Sequence, residues 1–384
     1  MKNFFESIGR AVSALTAAVV VAMGAQAETP FSVEVLGSFD EPWAIAALPD
    51  GRFLLTEQKG SLWVVDDKGD RSPRIGGTPT VVYSGQGGLG DVLAHPNFAE
   101  NKMIYLSYAE PGIDDSRGAA VARAVLDESG RRPALRDLEV IWRQYPKTVG
   151  HGHYGHRLAF DDEGYLWITS GDRQKFTPSQ DMQSNMGKML RLNDDGSIPD
   201  DNPFVDYYSK QAKVDDIGVY PEIWSLGHRN PLGLDFDSQG RLWEIEMGPA
   251  GGDELNLIER GANYGYPVVS NGNHYDGRKI DDHDTRPDFA APAAWWTPVI
   301  SPGDMLIYKG DKFSAWKGNA LVAGLSSNAI VHVELGEDGS AEEIERYEMG
   351  ARIRGLEEAS DGSVYVIEDE ARGKGGRLLR LTPK

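Results

Sequence analysis

Six times along the chain a polar turn ending in Gly or Asn runs into a short apolar strand. The copies are PDGRFLLTEQKGSLWVV from Pro49, AENKMIYLSY from Ala99, DDEGYLWITSGD from Asp161, DSQGRLWEIEMG from Asp237, WKGNALVAGL from Trp316 and SDGSVYVIED from Ser360. Turns of this kind between short apolar runs are hairpin chemistry, and six copies at unequal spacing predict an all-β fold, a six-bladed β-propeller. The spacing varies because loops that connect blades carry insertions; Gly87–Gly90, the acidic stretch 281–288 and the Pro-rich 287–302 read as such loops. No linker is long or biased enough to split the chain, so residues 28–384 are expected to form one propeller domain. Forty-five glycines and nine tryptophans, with 40% hydrophobic residues, suit many short strands better than helices.

The first 27 residues stand apart. Lys2 and Arg10 precede an apolar run from Ala11 to Ala22 that ends in Ala25-Gln26-Ala27, the pattern of a cleavable secretory signal peptide. The run is short for a bilayer span and no second one follows, so a periplasmic or secreted protein without a membrane span is expected. With no cysteine, neither disulfides nor thiolate chemistry is available. A formal charge of −20 argues against nucleic acid or an anionic membrane surface as partner, and any anionic ligand needs a local basic pocket.

Three stretches carry candidate chemistry. VGHGHYGHRLAF, from Val149, places His151, His153 and His156 within six residues of a chain holding eight histidines. The His-x-His-x-x-His spacing resembles a binuclear zinc motif, but Gly155 stands where that motif wants an Asp, and the repeat predicts blades instead of its layered architecture. The alternative makes His153 alone functional, a base oriented by Asp172 at the end of the following strand, with His151 and His156 as loop or structural residues. SLGHRNPLGLDF, from Ser225, sets Arg229 and Asn230 side by side before a repeat strand, a planar donor next to a group that both donates and accepts. EMGPAGGDELNLIERGANYGYP, from Glu246, leaves carbonyls unshielded at Gly248 and Pro249 and adds Asp253, Glu254 and Tyr264, a hard-oxygen composition that suits Ca2+ more than zinc.

With GQGGLGDVLAHPNF, WWTPVISPGDMLIY and RIRGLEEASDGSVYVIED, these stretches form an ordered set covering most of the chain. The set resembles the soluble quinoprotein sugar dehydrogenases, the pyrroloquinoline quinone (PQQ) dependent glucose and aldose dehydrogenase family, whose fold is a six-bladed propeller. The resemblance implies oxidation of aldose sugars at C1 to lactones, with electrons passed to an external acceptor. It implies that His153 is the general base, Asp172 its acidic partner and Arg229 a charge-stabilising neighbour. Gln86, Arg229, Asn230, Tyr275, Trp296, Ser326, Arg352 and Arg354 are the implied cofactor contacts, with Trp295 an alternative alignment for Trp296. Gly248 and Pro249 resemble carbonyl ligands of a catalytic Ca2+, and Glu254 and Tyr264 resemble a second, structural calcium site.

The residue chemistry agrees with this. PQQ carries three carboxylates, and Arg229, Arg352 and Arg354 would make a locally cationic pocket in an acidic protein. Two positions depart from the family pattern: Ser326 replaces a lysine of the glucose-specific branch, and Met247 stands where a polar residue commonly precedes Gly-Pro. The shorter chain favours the broader aldose branch. Two rival functions stay open, a propeller metal-dependent lactonase or hydrolase and a non-catalytic binding propeller, because fold does not fix function. Monomer and homodimer are equally compatible with the sequence.

Overall fold

The computed structural model describes residues 29–207, 220–370 and 376–384. The signal peptide expected over residues 1–27 lies outside them. The described strands form six antiparallel sheets arranged as the blades of a propeller. The first blade is β2 (Pro42–Ala47), β3 (Phe53–Glu57) and β4 (Ser61–Val65); the second is β5 (Leu89–Ala94), β6 (Met103–Pro111), β7 (Arg117–Asp127) and β8 (Ala134–Arg143). The third is β9 (Gly155–Phe160), β10 (Leu166–Ser170), β11 (Lys188–Leu192) and β12 (Ile223–Leu226), and the fourth β13 (Pro231–Phe236), β14 (Leu242–Glu246), β15 (Asp253–Leu257) and β16 (Ala294–Trp296). The fifth is β17 (Pro302–Ile307), β18 (Ala320–Gly324), β19 (Ala329–Leu335) and β20 (Ala341–Glu348). The sixth joins β21 (Ile353–Glu358), β22 (Val364–Glu368) and β23 (Arg377–Pro383) to β1 (Phe31–Ser38), so the two ends of the described chain close the ring by pairing Phe31 with Pro383 through Ser38 with Arg377.

Each of the six repeated phrases leads into the second strand of a blade: β3, β6, β10, β14, β18 and β22. The turn needs a left-handed residue, supplied by glycine in five blades (φ 86° at Gly51, for example) and by Lys102, with φ 55°, in the second. Gly87–Gly90 is only partly a loop, since Leu89 already begins β5; an inner strand buried on both sides has no polar alternation to announce it.

A polar side chain on an inner or second strand ties each blade to the next. Thr56 donates to the Gly90 carbonyl at 2.7 Å, Asp91 accepts from Leu158 N–H at 2.8 Å, and Arg157 Nε donates to the Leu232 carbonyl at 2.8 Å. Asp235 accepts from Ile307 N–H, Asp304 from Leu356 N–H and Glu357 from Ala47 N–H, at 2.8, 3.1 and 2.8 Å. Apolar side chains fill the wedges between blades, Trp243, Ile245, Leu255, Met305 and Val331 between the fourth and fifth for example. Toward the N-terminal ends of the inner strands the axial channel opens into a cavity of about 200 Å3, and toward their C-terminal ends into one of about 450 Å3 walled in part by Asp91, Arg157, Asp304 and Glu357.

Candidate active site

β9 and β10 pair so that Gly155 lies opposite Ser170, which brings the residue two before β9 next to the residue two after β10. These are His153 and Asp172. His153 Nδ1 lies 2.7 Å from Asp172 Oδ1, with both side chains buried. Asp172 is itself held by the backbone N–H groups of Gln174 (2.9 Å) and Phe176 (3.1 Å). A carboxylate so engaged is an acceptor, so the imidazole proton belongs on Nδ1 and Nε2 carries the lone pair. No hydrogen bond among the described residues engages that Nε2. Burial pushes the His153 pKa down from its ordinary 6.5, Asp172 pulls it up, and the nearby Arg229 and Arg173 push it down again; the net direction is down. Gln86 fixes the backbone of this residue, which has a φ of 50°, by accepting its N–H at 2.6 Å.

Arg229 and Asn230 sit in the link from β12 to β13, and Glu246 at the end of β14 accepts both of their backbone N–H groups, at 2.5 and 3.1 Å. Arg229 Nη1 donates to the carbonyls of Met247 (2.7 Å) and Gly248 (2.6 Å), and the Arg229 carbonyl accepts from Asp172 N–H at 2.8 Å. Several donors in this region are buried without a partner, among them Arg229 Nε, Asn230 Nδ2, Arg173 Nε, Arg352 Nε and the hydroxyls of Tyr154 and Tyr266. Unpaired buried donors of this kind cost stability and point to an acceptor that comes from outside the protein. The 200 Å3 cavity is lined by Gln86, Arg352, Arg354 and Asp369, with Trp43 and His156 also in its wall. Asp369 accepts from Arg352 at 3.3 Å and from Arg354 at 2.5 Å.

Other expected contacts are placed differently. Trp296 is not a wall of this cleft: its ring packs in the core between the fourth and fifth blades and its Nε1 donates to Glu343 at 2.6 Å. The reason is strand alternation, since β16 turns Trp296 inward and leaves Trp295 exposed. Tyr275 is 79% exposed, at the rim, with the Arg229 guanidinium 6.0 Å from its ring centre. Ser326 is exposed and donates to the Val299 carbonyl at 3.2 Å, next to the cavity-lining Leu325. The Gly248 carbonyl faces Arg229, and Gly248 N–H donates to Asp253 at 2.9 Å, a carboxyl that burial raises to about 7. Pro249 is buried beside it. Glu254 and the Tyr264 side chain do not meet: Glu254 Oε1 lies 3.4 Å from His283 Nε2, whereas the Tyr264 hydroxyl donates to the Leu257 carbonyl at 2.5 Å and its ring stacks on His228.

The three clustered histidines separate in space. His151 is exposed with Nδ1 2.9 Å from Arg117, His153 pairs with Asp172, and His156 is buried beside Ser107, so no pair shares a metal-sized site. Sequence reasoning did not find Glu246, which with His228 and Glu244 forms a buried group whose ligand atoms lie within 4.8 Å of one another. The signal was present in LWEIE, two carboxylates on one face of an otherwise apolar strand. Tyr266 was also missed; its ring centre lies 5.8 Å from the Arg229 guanidinium.

Comparison with known proteins gives a consistent set of relatives. Residues 39–380 match the family described as Glucose / Sorbosone dehydrogenase. Aldose sugar dehydrogenase YliI of Escherichia coli (strain K12) is 36% identical over 363 residues, covering 92% of this chain and 93% of the relative. Among solved structures, the apo-form of the soluble aldose sugar dehydrogenase from Escherichia coli is similar with a TM-score of 0.83 and 35% identity, covering 92% of this chain and all of that one. The PQQ-bound form of aldose sugar dehydrogenase from Streptomyces coelicolor is similar with a TM-score of 0.74 and 28% identity, covering 92% of this chain and 98% of that one.

Proposed function

The chain belongs to the glucose/sorbosone dehydrogenase family, and from that premise we propose that it is a PQQ-dependent aldose sugar dehydrogenase that oxidises the C1 hydroxyl of aldoses to lactones. The observation that carries the reading is the buried His153–Asp172 pair, which assigns the imidazole proton to Nδ1, beside Arg229 and Asn230 and near a cavity lined by Gln86, Arg352 and Arg354, with unpartnered buried donors on Arg229, Asn230 and Arg352. That donor set fits a polycarboxylate quinone, because planar guanidinium groups pair with carboxylates and the unpartnered amide of Asn230 could donate to a carbonyl-type oxygen. Gln86, Arg229, Asn230, Arg352 and Arg354 would hold the cofactor. When bound, PQQ supplies a quinone carbon that accepts the C1 hydride with its two electrons, and Ca2+ supplies Lewis acidity at the quinone oxygens.

His153 Nε2 takes the hydroxyl proton of the sugar, and Asp172 holds the Nδ1–H and stabilises the imidazolium that results. Burial, with Arg229 and Arg173 adding to it, disfavours that imidazolium beforehand and favours the neutral base. Gly248 and Pro249 would hold Ca2+. The convergence of the Met247 and Gly248 carbonyls on one guanidinium nitrogen supports a cation preference there, and Ca2+ would compete with Arg229 for Gly248. A propeller lactonase would require several metal-ligating carboxylates opening into this cavity, whereas the one carboxylate in its wall among the described residues, Asp369, is paired with Arg352 and Arg354, and the buried His228, Glu244 and Glu246 group is not part of that wall. The apolar run after Arg10 supports export as part of the same reading, with the electrons leaving to an external acceptor.

The test is single turnover of PQQ-loaded protein with an aldose deuterated at C1. Slower cofactor reduction than with the protiated sugar, and a lactone as first product, are expected. Equal rates together with direct appearance of a ring-opened acid would overturn the hydride reading.

A further inference from the structure

His156 has no part in the proton transfer, yet its surroundings are built around one tautomer. Its ring lies against Trp43 with centroids 5.0 Å apart and planes 18° apart, and it covers Gly90, where a Cβ would stand 1.9 Å from the ring carbon Cε1. The ring therefore occupies space that only a glycine at position 90 leaves open. Its Nδ1 lies 2.8 Å from Ser107 Oγ, and that same Oγ accepts the Asp91 N–H at 2.7 Å. The Ser107 proton has His156 Nδ1 as its acceptor; were Nδ1 the donor, the buried hydroxyl proton would have none. Nδ1 thus accepts, and a neutral ring with Nδ1 bare carries its proton on Nε2. Burial, with Arg157 and Arg173 nearby, pushes this imidazole's pKa down to about 3, which keeps the ring neutral. No hydrogen bond among the described residues reaches Nε2, and the ring forms part of the wall of the cavity that Gln86, Arg352 and Arg354 also line.

We infer that His156 is a cofactor-contact residue whose Nε2–H, fixed by Ser107 through the tautomer, donates to an oxygen of the anionic quinone held in this cavity. The inference rests on the function proposed above for the identity of the ligand, but the tautomer does not.

Two measurements on the full-length protein separate these parts. Long-range proton–nitrogen correlation spectra of the apo-protein with 15N-labelled histidine, assigned by comparison with His156→Gln, are expected to show the Nε2–H tautomer from about pH 5 to about pH 8. An Nδ1–H or doubly protonated ring there overturns the inference whether or not PQQ binds. Calorimetric titration with PQQ is then expected to give roughly tenfold weaker binding for His156→Leu and binding within about threefold of wild type for His156→Gln, whose amide can replace the donor. Ser107→Ala, which leaves the ring in place but releases the tautomer, is expected to weaken binding about threefold and covers the case in which His156→Leu does not fold. Unchanged affinity in a folded His156→Leu, or in Ser107→Ala if that variant alone folds, overturns the contact. A wild-type protein that does not bind PQQ overturns the contact and the proposed function together, whereas binding by wild type with no difference among variants removes the contact alone.

Discussion

In the proposed reaction, replacing His153 by alanine would remove the nitrogen that receives the sugar proton and leave Asp172 still anchored by Gln174 and Phe176 N–H. A fall in kcat of about 10²- to 10⁴-fold is expected, with PQQ affinity little changed, as read by steady-state dye reduction and cofactor titration. Because burial and Arg229 hold the pKa of His153 below 6.5, the base stays unprotonated further into acid than a free imidazole. The acid limb of the kcat profile should therefore fall below pH 6.5, and Asp172→Asn, which removes the group that raises this pKa, should move it lower while reducing the plateau. A limb above that value would contradict the electrostatics described. At this scale the sequence was most legible where partners sit on one hairpin, as His153 and Asp172 do. It was least legible where alternation decides which neighbour turns inward, as with Trp295 and Trp296, or where contacts join separate blades, as with Glu246 beneath Arg229 and Asn230.

Blades were visible in the sequence because each announces itself through a turn that demands a left-handed residue. The ties between blades were not, since Asp91, Asp235, Asp304 and Glu357 look like ordinary polar positions until the neighbouring strand supplies an N–H. Glu357 makes the tie that joins the sixth blade to the first. Burial, helped by Asp304, Asp235 and Asp91 nearby, raises its pKa from 4.5 to about 8. The folded state thus binds this proton more tightly than the unfolded chain, so its contribution to stability is complete below about pH 4.5 and is lost as pH rises through about 8. Glu357→Gln keeps an oxygen for Ala47 N–H and removes the titration. Chemical denaturation should show it gaining stability relative to wild type progressively over that interval, while Glu357→Ala, without the acceptor, should lose about 0.5–1.5 kcal/mol at low pH. A Gln variant whose difference from wild type does not change with pH would show that the carboxyl titrates as it does in the unfolded chain.

Ring closure belongs to the whole molecule, because β1 completes the sixth blade and its first residue reaches the fifth. Phe31 is buried with its ring centre 5.7 Å from that of Trp316 and 5.4 Å from that of Tyr347. Phe31→Ala should cost about 3–5 kcal/mol in denaturant titration yet leave PQQ affinity near wild type, since the cavity lies at the other side of the blades; a large change in affinity would mean that closure and the cavity are coupled. The six-fold plan was readable from the repeat, whereas the closing partner of β1 was not, because pairing across the whole chain leaves no local pattern. In a chain of formal charge −20, the proposed anionic cofactor would be held by a few donors gathered in one place, Arg229, Asn230, Arg352 and Arg354. The direct test is sugar-dependent reduction of an artificial electron acceptor by purified protein, with and without PQQ and Ca2+, beside His153→Ala. Activity that requires both additions and collapses in the variant is the expected result; activity without PQQ, or undiminished in His153→Ala, would contradict it.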